Sequence, residues 1–321
     1  SALRLWHKGV GVRTQVASVG LFANGAKVAK SKAISSEDSV DLNMIAPLVI
    51  SAGTTVTLDV VVSTATGVGE HYFQLGASDI TSNASGVNGS FPISTPLFKT
   101  STTSAGTLTF STDGSLADAK LGQVGAILAK FKVATDGVED ITLKSMTFKK
   151  DAVSTSQDSD FTNFKLYLNG SQVSSGTLVN KYVTFPMNTT ILKNKSDQKF
   201  EIRADIIGGA SKTVRFVIDS STDITANGSQ YLYGANTSGT GTAPATTVNI
   251  TACAVSLVRE DAAIDKVISN KKDVIFGKIK VTANSGKDVE LSTLKLTIDS
   301  ANDGAAGAFA QIENLEIYNE T

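Results

Sequence analysis

The sequence predicts an all-β chain of tandem two-sheet sandwiches, with partial repeats at both ends. Three observations predict it. Apolar residues alternate with polar ones at period two, clusters of Gly, Asn, Asp and Ser separate the alternating runs, and the pattern recurs along the chain. The recurrence is direct: Val16 to Gly25 (VASVGLFANG) returns as Phe161 to Gly170 (FTNFKLYLNG) and again as Ile312 to Thr321 (IENLEIYNET). A period of 145 to 151 residues marks an array in which one structural unit was copied.

Taken in order, the strands begin with Leu3 to Trp6, followed by Val16 to Ala23, which runs into Asn24-Gly25. Asn-Gly is a strong hairpin signal, because both central residues of a type I′ turn need positive φ. The run Thr55 to Val62 (TVTLDVVV) follows, then Phe73 to Thr81 (FQLGASDIT). The second copy supplies Lys130 to Val133 (KFKV), Ile141 to Phe148 (ITLKSMTF), Phe164 to Leu168 with Asn169-Gly170, Lys199 to Ile206 (KFEIRADI), and Val214 to Asp219 (VRFVID). Leu58 aligns with Phe200, Val60 with Ile202, and FQLGASDIT with Val217 to Thr225 (VIDSSTDIT). The third copy opens with Gly277 to Leu296, aligned with Ala129 to Phe148, so Asp140 meets Asp288 and Leu143 meets Leu291. Alternation places Phe131, Val133, Ile141, Leu143, Phe164, Leu166, Phe200 and Ile202 inside the central sandwich. The stretch Ser115 to Phe131 comes nearest to a helical pattern, and its glycines leave room for one short turn at most.

The phase of the repeats divides the chain into a rear half over 1–100, a complete copy over 101–251 and a front half over 252–321. With 29 Lys+Arg against 30 Asp+Glu, the chain has no basic field to attract nucleic acid or anionic lipid. Apolar runs such as Met44 to Ile50 are far below the ~20 residues of a membrane-spanning helix. No signal peptide is visible at Ser1, so an exported protein would be seen here as a mature chain or an internal segment. The one cysteine, Cys253, excludes an intramolecular disulfide and reads as a small buried hydrophobe in a strand.

No constellation of residues predicts catalysis. The two histidines, His7 and His71, fall in different parts of the repeat, with His71 placed at a strand start beside a solvated Glu70. The carboxylate pairs Glu139-Asp140 and Glu260-Asp261 are adjacent in sequence, so on a strand each pair points to opposite faces. Calcium is the one ion the sequence suggests. The loops around Asp158 and Asp160, and around Asp299 and Asp303, offer the side-chain oxygens that a hard cation takes, although neither has the spacing of a dedicated calcium motif. Solvated turns, which also favour Asp and Ser, are the competing reading. Sequons at Asn83, Asn188, Asn227, Asn236 and Asn249 permit glycosylation.

The succession of Glu139-Asp140 or Lys287-Asp288, an Ile/Val-x-Leu strand, an Asp/Ser-rich loop, an aliphatic-x-Leu-Tyr strand with Asn-Gly, Phe200-x-Ile202-x-Ala204-Asp205-Ile206 and Asp223-Ile224-Thr225 carries a resemblance. It is similar to the tandem immunoglobulin-like repeats of bacterial surface-layer and cell-surface proteins, over essentially the full chain. The resemblance implies an extracellular, structural or adhesive role without catalytic residues. The first copy departs from it, because Leu3 to Val19 holds no Asp/Ser-rich loop.

A partial sandwich exposes strand edges and an apolar face. The sequence therefore predicts self-association into a surface layer or filament, with Val281, Leu291 and Leu296 of one copy near Val19, Leu21 and Val60 of another. Both ends also hold copies of the same strands, Leu3 to Trp6 and Leu294 to Thr297, which favours a segment of a longer array over a cleanly divided domain. A module binding cell-surface glycans or a host is the alternative, for which exposed aromatic residues gathered on loops would be the mark.

Overall fold

The computed structural model describes residues 1–102, 106–193, 198–252, 255–260, 277–283 and 289–295. The chain divides into Ser1–Lys287 and Asp288–Thr321; of the second unit, residues 289–295 are described and carry no regular secondary structure. The described residues form strands and short 3₁₀ turns, with no α-helix. The fold is all-β, as the alternation predicts.

The first hundred residues close two sheets around a core of their own. One sheet runs in the order Ser39–Asn43, Ala2–Lys8, Gly69–Leu75, Ile93–Ser94; Ile80–Thr81 also pairs with Ala2–Lys8, and Phe98–Thr100 with Gly69–Leu75. The other has three strands in the order Ala26–Lys32, Val16–Ala23, Leu58–Thr64. Between them lie Leu3, Leu5, Val19, Leu21, Val40, Leu42 and Phe73. The hairpin turns on Asn24 and Gly25, at φ 48° and 80°, which is the left-handed pair that Asn-Gly favours. Within this region Ala2–Lys8 joins the strands on both sides of it.

The central sandwich has more strands on the same plan. Its larger sheet runs Ser171–Gly176, Phe161–Leu168, Gln198–Ile206, Ala126–Thr135, Thr107–Thr112, Asn236–Ser238. The facing sheet runs Leu178–Val179, Tyr182–Ile191, Ile141–Lys150, with Phe216–Val217 and Ile224–Gly228 both paired to the last of these. All eight side chains predicted to face inward are buried. Phe131 and Phe200 are direct cross-strand partners and stack at 5.3 Å between ring centroids. Where one helical turn was conceivable, Gly122 and Gly125 adopt φ of 81° and 64° and turn the chain between the strands Ala119–Lys120 and Ala126–Thr135.

Beyond the central sandwich, Val255–Arg259 pairs antiparallel with Ile279–Ala283, with Leu257 opposite Val281. That pairing repeats Phe110 opposite Val133 in the central sandwich. The burial does not repeat: Phe110 and Val133 are 2% and 0% exposed, whereas Leu257 and Val281 are 48% and 45% exposed.

Candidate functional site

Two surfaces stand out, a buried joint between the sandwiches and an open sheet edge. The joint is built from the first hairpin. Ala26–Lys32 carries Lys27 and Ser31 into the end of the central sandwich, where the turn Ser221–Asp223 receives them. Lys27 Nζ donates to Asp223 Oδ1 in a very short contact, with both side chains fully buried. The same ammonium lies over the Tyr182 ring, 5.2 Å from its centroid. Ser31 and Thr222 share a 2.5 Å hydroxyl contact, and Ser221 Oγ donates to Ser63 Oγ at 2.7 Å. Burial pushes the Asp223 carboxyl above its ordinary value, and Lys27 works against that shift. Burial likewise raises the Tyr182 phenol, whose hydroxyl donates to Asp219 at 3.1 Å. A charge pair withdrawn from water repays its desolvation only where its geometry is good, so the joint is sensitive to how Lys27 and Asp223 are placed.

The open edge is Leu58–Thr64. In the three-stranded sheet it pairs with Val16–Ala23 on one side, and among the described residues nothing pairs with its other side. Leu58 is 38% exposed, whereas its counterpart Phe200 is 1% exposed between two neighbouring strands.

These positions revise the residues expected at an assembly interface. Val19 and Leu21 lie on the middle strand of their sheet and are covered by the chain's own facing sheet, at 0% and 1% exposure, so neither is available to another copy. Val60, on the edge strand, packs partly against the same core. Val281 and Leu291 are exposed, and Leu296 lies outside the described residues.

The Asp-rich loops prove to be a recurring capping device. Asp160 Oδ2 accepts the Gln157 amide at 2.7 Å, Asp79 Oδ2 the Gly76 amide at 2.9 Å, and Asp223 Oδ2 the Ser220 amide at 3.0 Å. Each closes a 3₁₀ turn that leads into a strand. At the place in the first copy that matches the turn Asp158–Asp160, Gln15 stands where Asp160 does: its Oε1 accepts the Val12 amide at 3.0 Å. Asp158 takes the Lys181 amide at 2.7 Å and faces Lys150 Nζ at 2.6 Å, while Lys212 approaches Asp160 at 3.7 Å. The two carboxylates thus face separate cations, and among the described residues no three His, Cys, Asp or Glu side chains converge as metal ligands. Asp299, Asp303 and Cys253 lie outside the described residues.

The histidines, set apart in the sequence, meet in the first core. His7 and His71 stand on neighbouring strands with Nε2 and Nδ1 2.9 Å apart, and His71 Nε2 lies 3.2 Å from the Thr100 hydroxyl. Both rings are buried, His71 stacks on Phe98, and burial lowers the pKa of each below the ordinary histidine value. Glu70 is partnered, by Lys99 at 2.5 Å.

Glu139, which the sequence offers only as a member of an adjacent carboxylate pair, is buried under an exposed loop. Its Oε2 accepts the Gln230 amide at 2.7 Å and the Tyr231 amide at 3.3 Å. Above it Tyr231, Leu232 and Tyr233 project into solvent, with Leu232 in the left-handed region at φ 61°.

No protein-family model and no curated protein matches the chain. Among solved structures, a protein of Corynebacterium diphtheriae described as membrane-anchored is 9% identical, with a TM-score of 0.23 over 77% of this chain and 58% of that one. The major pilin subunit of Bacillus cereus is 12% identical, with a TM-score of 0.19 over 88% of this chain and 82% of that one. A marsupial T cell receptor is 11% identical, with a TM-score of 0.15 over 81% and 78%. The chain therefore spans somewhat over half the length of the first of these proteins. Likenesses this distant carry no function to the chain, whose reading rests on its own geometry.

Proposed function

We propose that this chain is an extracellular structural protein, a building block of a surface layer or surface filament made from β-sandwich repeats and joined end to end by strand completion. The observation that carries the reading is the joint at Lys27 and Asp223. Two copies of one repeat are locked by a fully buried ion pair with two hydroxyl contacts beside it. A flexible linker would let the sandwiches swing, whereas a specific buried interface holds length and direction, as an ordered array requires. Immunogold electron microscopy of the native cells tests the role: label on an ordered layer or filament supports it, and label confined to the cytoplasm overturns it.

One observation favours the adhesive alternative. Tyr231, Leu232 and Tyr233 form an exposed, partly aromatic loop tip held by the buried Glu139 carboxylate, and aromatic faces of this kind suit the apolar faces of sugars. A glycan array probed with the native chain and with Tyr231→Ala/Tyr233→Ala distinguishes the readings. Binding that the substitutions abolish supports adhesion.

A further inference from the structure

Among the described residues, Lys27–Asp223 is the one ion pair whose side chains are both at 0% exposure; the next most buried, Lys150–Asp158, stands at 4% and 29%. In water, hydration keeps an ammonium and a carboxylate as ions and so disfavours their condensation to an amide. A dry site removes that hydration, and neutralising the pair then relieves its desolvation cost. Lys27 Nζ contacts Asp223 Oδ1 directly, which puts the amine beside the carboxyl carbon. Both partners are held in place. The Ser220 amide donates to Asp223 Oδ2 at 3.0 Å, the Asp223 amide donates back to the Ser220 carbonyl at 3.0 Å, and the Tyr182 ring lies against Nζ at 5.2 Å. Gly20 lets the turn come close to the hairpin, since a Cβ there would lie 3.0 Å from Ser31 Oγ and 3.2 Å from Thr222 Oγ1. Burial raises the pKa of the Asp223 carboxyl; Lys27 opposes the shift and the nearby Asp219 adds to it.

We propose that Lys27 Nζ and Asp223 Cγ condense in the folded protein to an amide that crosses the joint between the two sandwiches. The ammonium first passes a proton to the carboxylate, leaving a neutral amine and a carboxylic acid. The Nζ lone pair attacks Cγ, and Oδ2 takes up negative charge against the Ser220 amide that already faces it. A second proton moves from Nζ to the hydroxyl at Oδ1, the Cγ–Oδ1 bond breaks and one water leaves. One C–N bond forms and one C–O bond breaks. Nothing is oxidised or reduced, and no co-reactant enters. Oδ2 stays as the amide carbonyl oxygen and goes on accepting the Ser220 amide. Fixed juxtaposition takes the place of an encounter in solution, an advantage that reaches effective molarities on the order of 10⁵–10⁸ M in well-oriented systems. The ionic joint described above is the reactant, and the product closes a loop whose ends are 196 positions apart. Condensation depends on folding alone, so it stands independently of the cell-surface role.

The test is the mass of the full chain. Folded protein is held at neutral pH, denatured and measured intact by mass spectrometry. The expected mass is that of the sequence less one water. Trypsin should release a branched peptide joining residues 14–30 to residues 216–259, because Lys27 no longer carries the free ammonium that trypsin needs. Lys27→Arg keeps a cation at the joint without the reactive amine and should retain the full mass. Should that variant fail to fold, the branched peptide from the unaltered chain decides by itself. A folded chain of full sequence mass overturns the proposal, as does a water lost without the branched peptide or a loss that persists in Lys27→Arg.

Discussion

Replacing Lys27 with Met isolates the energetics of the joint. The substitution keeps the length of the side chain and removes its charge, leaving the Asp223 carboxylate fully buried with the Ser220 amide still donating to it. Removing one member of a buried pair typically costs about 3–5 kcal/mol, because the surviving charge is left uncompensated, whereas an exposed pair is worth about 0–1 kcal/mol. Adding Asp223→Asn to Lys27→Met removes the stranded charge and keeps an oxygen to cap Ser220. The double variant should therefore recover part of the loss, with a coupling of about 1–3 kcal/mol. Urea unfolding followed by tryptophan fluorescence measures this, since Trp6 is the chain's one tryptophan and sits in the N-terminal sandwich. Far-UV circular dichroism on the same samples reports both sandwiches and shows whether they unfold together. A loss below about 1 kcal/mol for Lys27→Met would mean that the pair behaves as a solvated surface pair, and the rigid-joint reading would fail with it.

Truncating Phe200 to Ala should cost about 3–5 kcal/mol, as the side chain is buried against Phe131 and the facing sheet; a change within about 1 kcal/mol by urea melting would place it outside the core. The His7–His71 pair makes the N-terminal sandwich acid-sensitive. Burial lowers both pKa values in the folded state, so the unfolded chain takes up protons more readily, and stability that is complete above pH ~6.5 falls as the pH drops through and below that value. A Tm followed at Trp6 that is level between pH 7.5 and 5 would contradict this. Chelation should leave the melting curve unchanged, because Asp158 and Asp160 already face Lys150 and Lys212; a lower Tm in chelator that calcium restores would return those loops to metal binding.

Local chemistry is where the sequence was sufficient. Alternation in KFKV, FKLYL and KFEIRADI identifies the buried faces that Phe131, Phe164 and Phe200 occupy, because a strand points successive side chains to opposite sides wherever it lies in the fold. Asn24-Gly25 and Asn169-Gly170 mark hairpins for an equally local reason, the positive φ that both turns adopt. The recurrence itself predicts which strands correspond. Tertiary structure decided what those strands and loops meet. Lys27 in the run AKVAKSK has the composition of a solvated strand, and becomes buried because Asp223 arrives from another sandwich. His7 and His71 become a pair because Ala2–Lys8 and Gly69–Leu75 are neighbours in one sheet. Asp158 and Asp160 read alike as ion ligands or as turn residues until their amide and lysine partners are in place. Val19 and Leu58 belong to similar apolar runs, yet one is interior and the other at an open edge, because strand order within a sheet is set by pairing between distant segments and leaves no mark in the period of either.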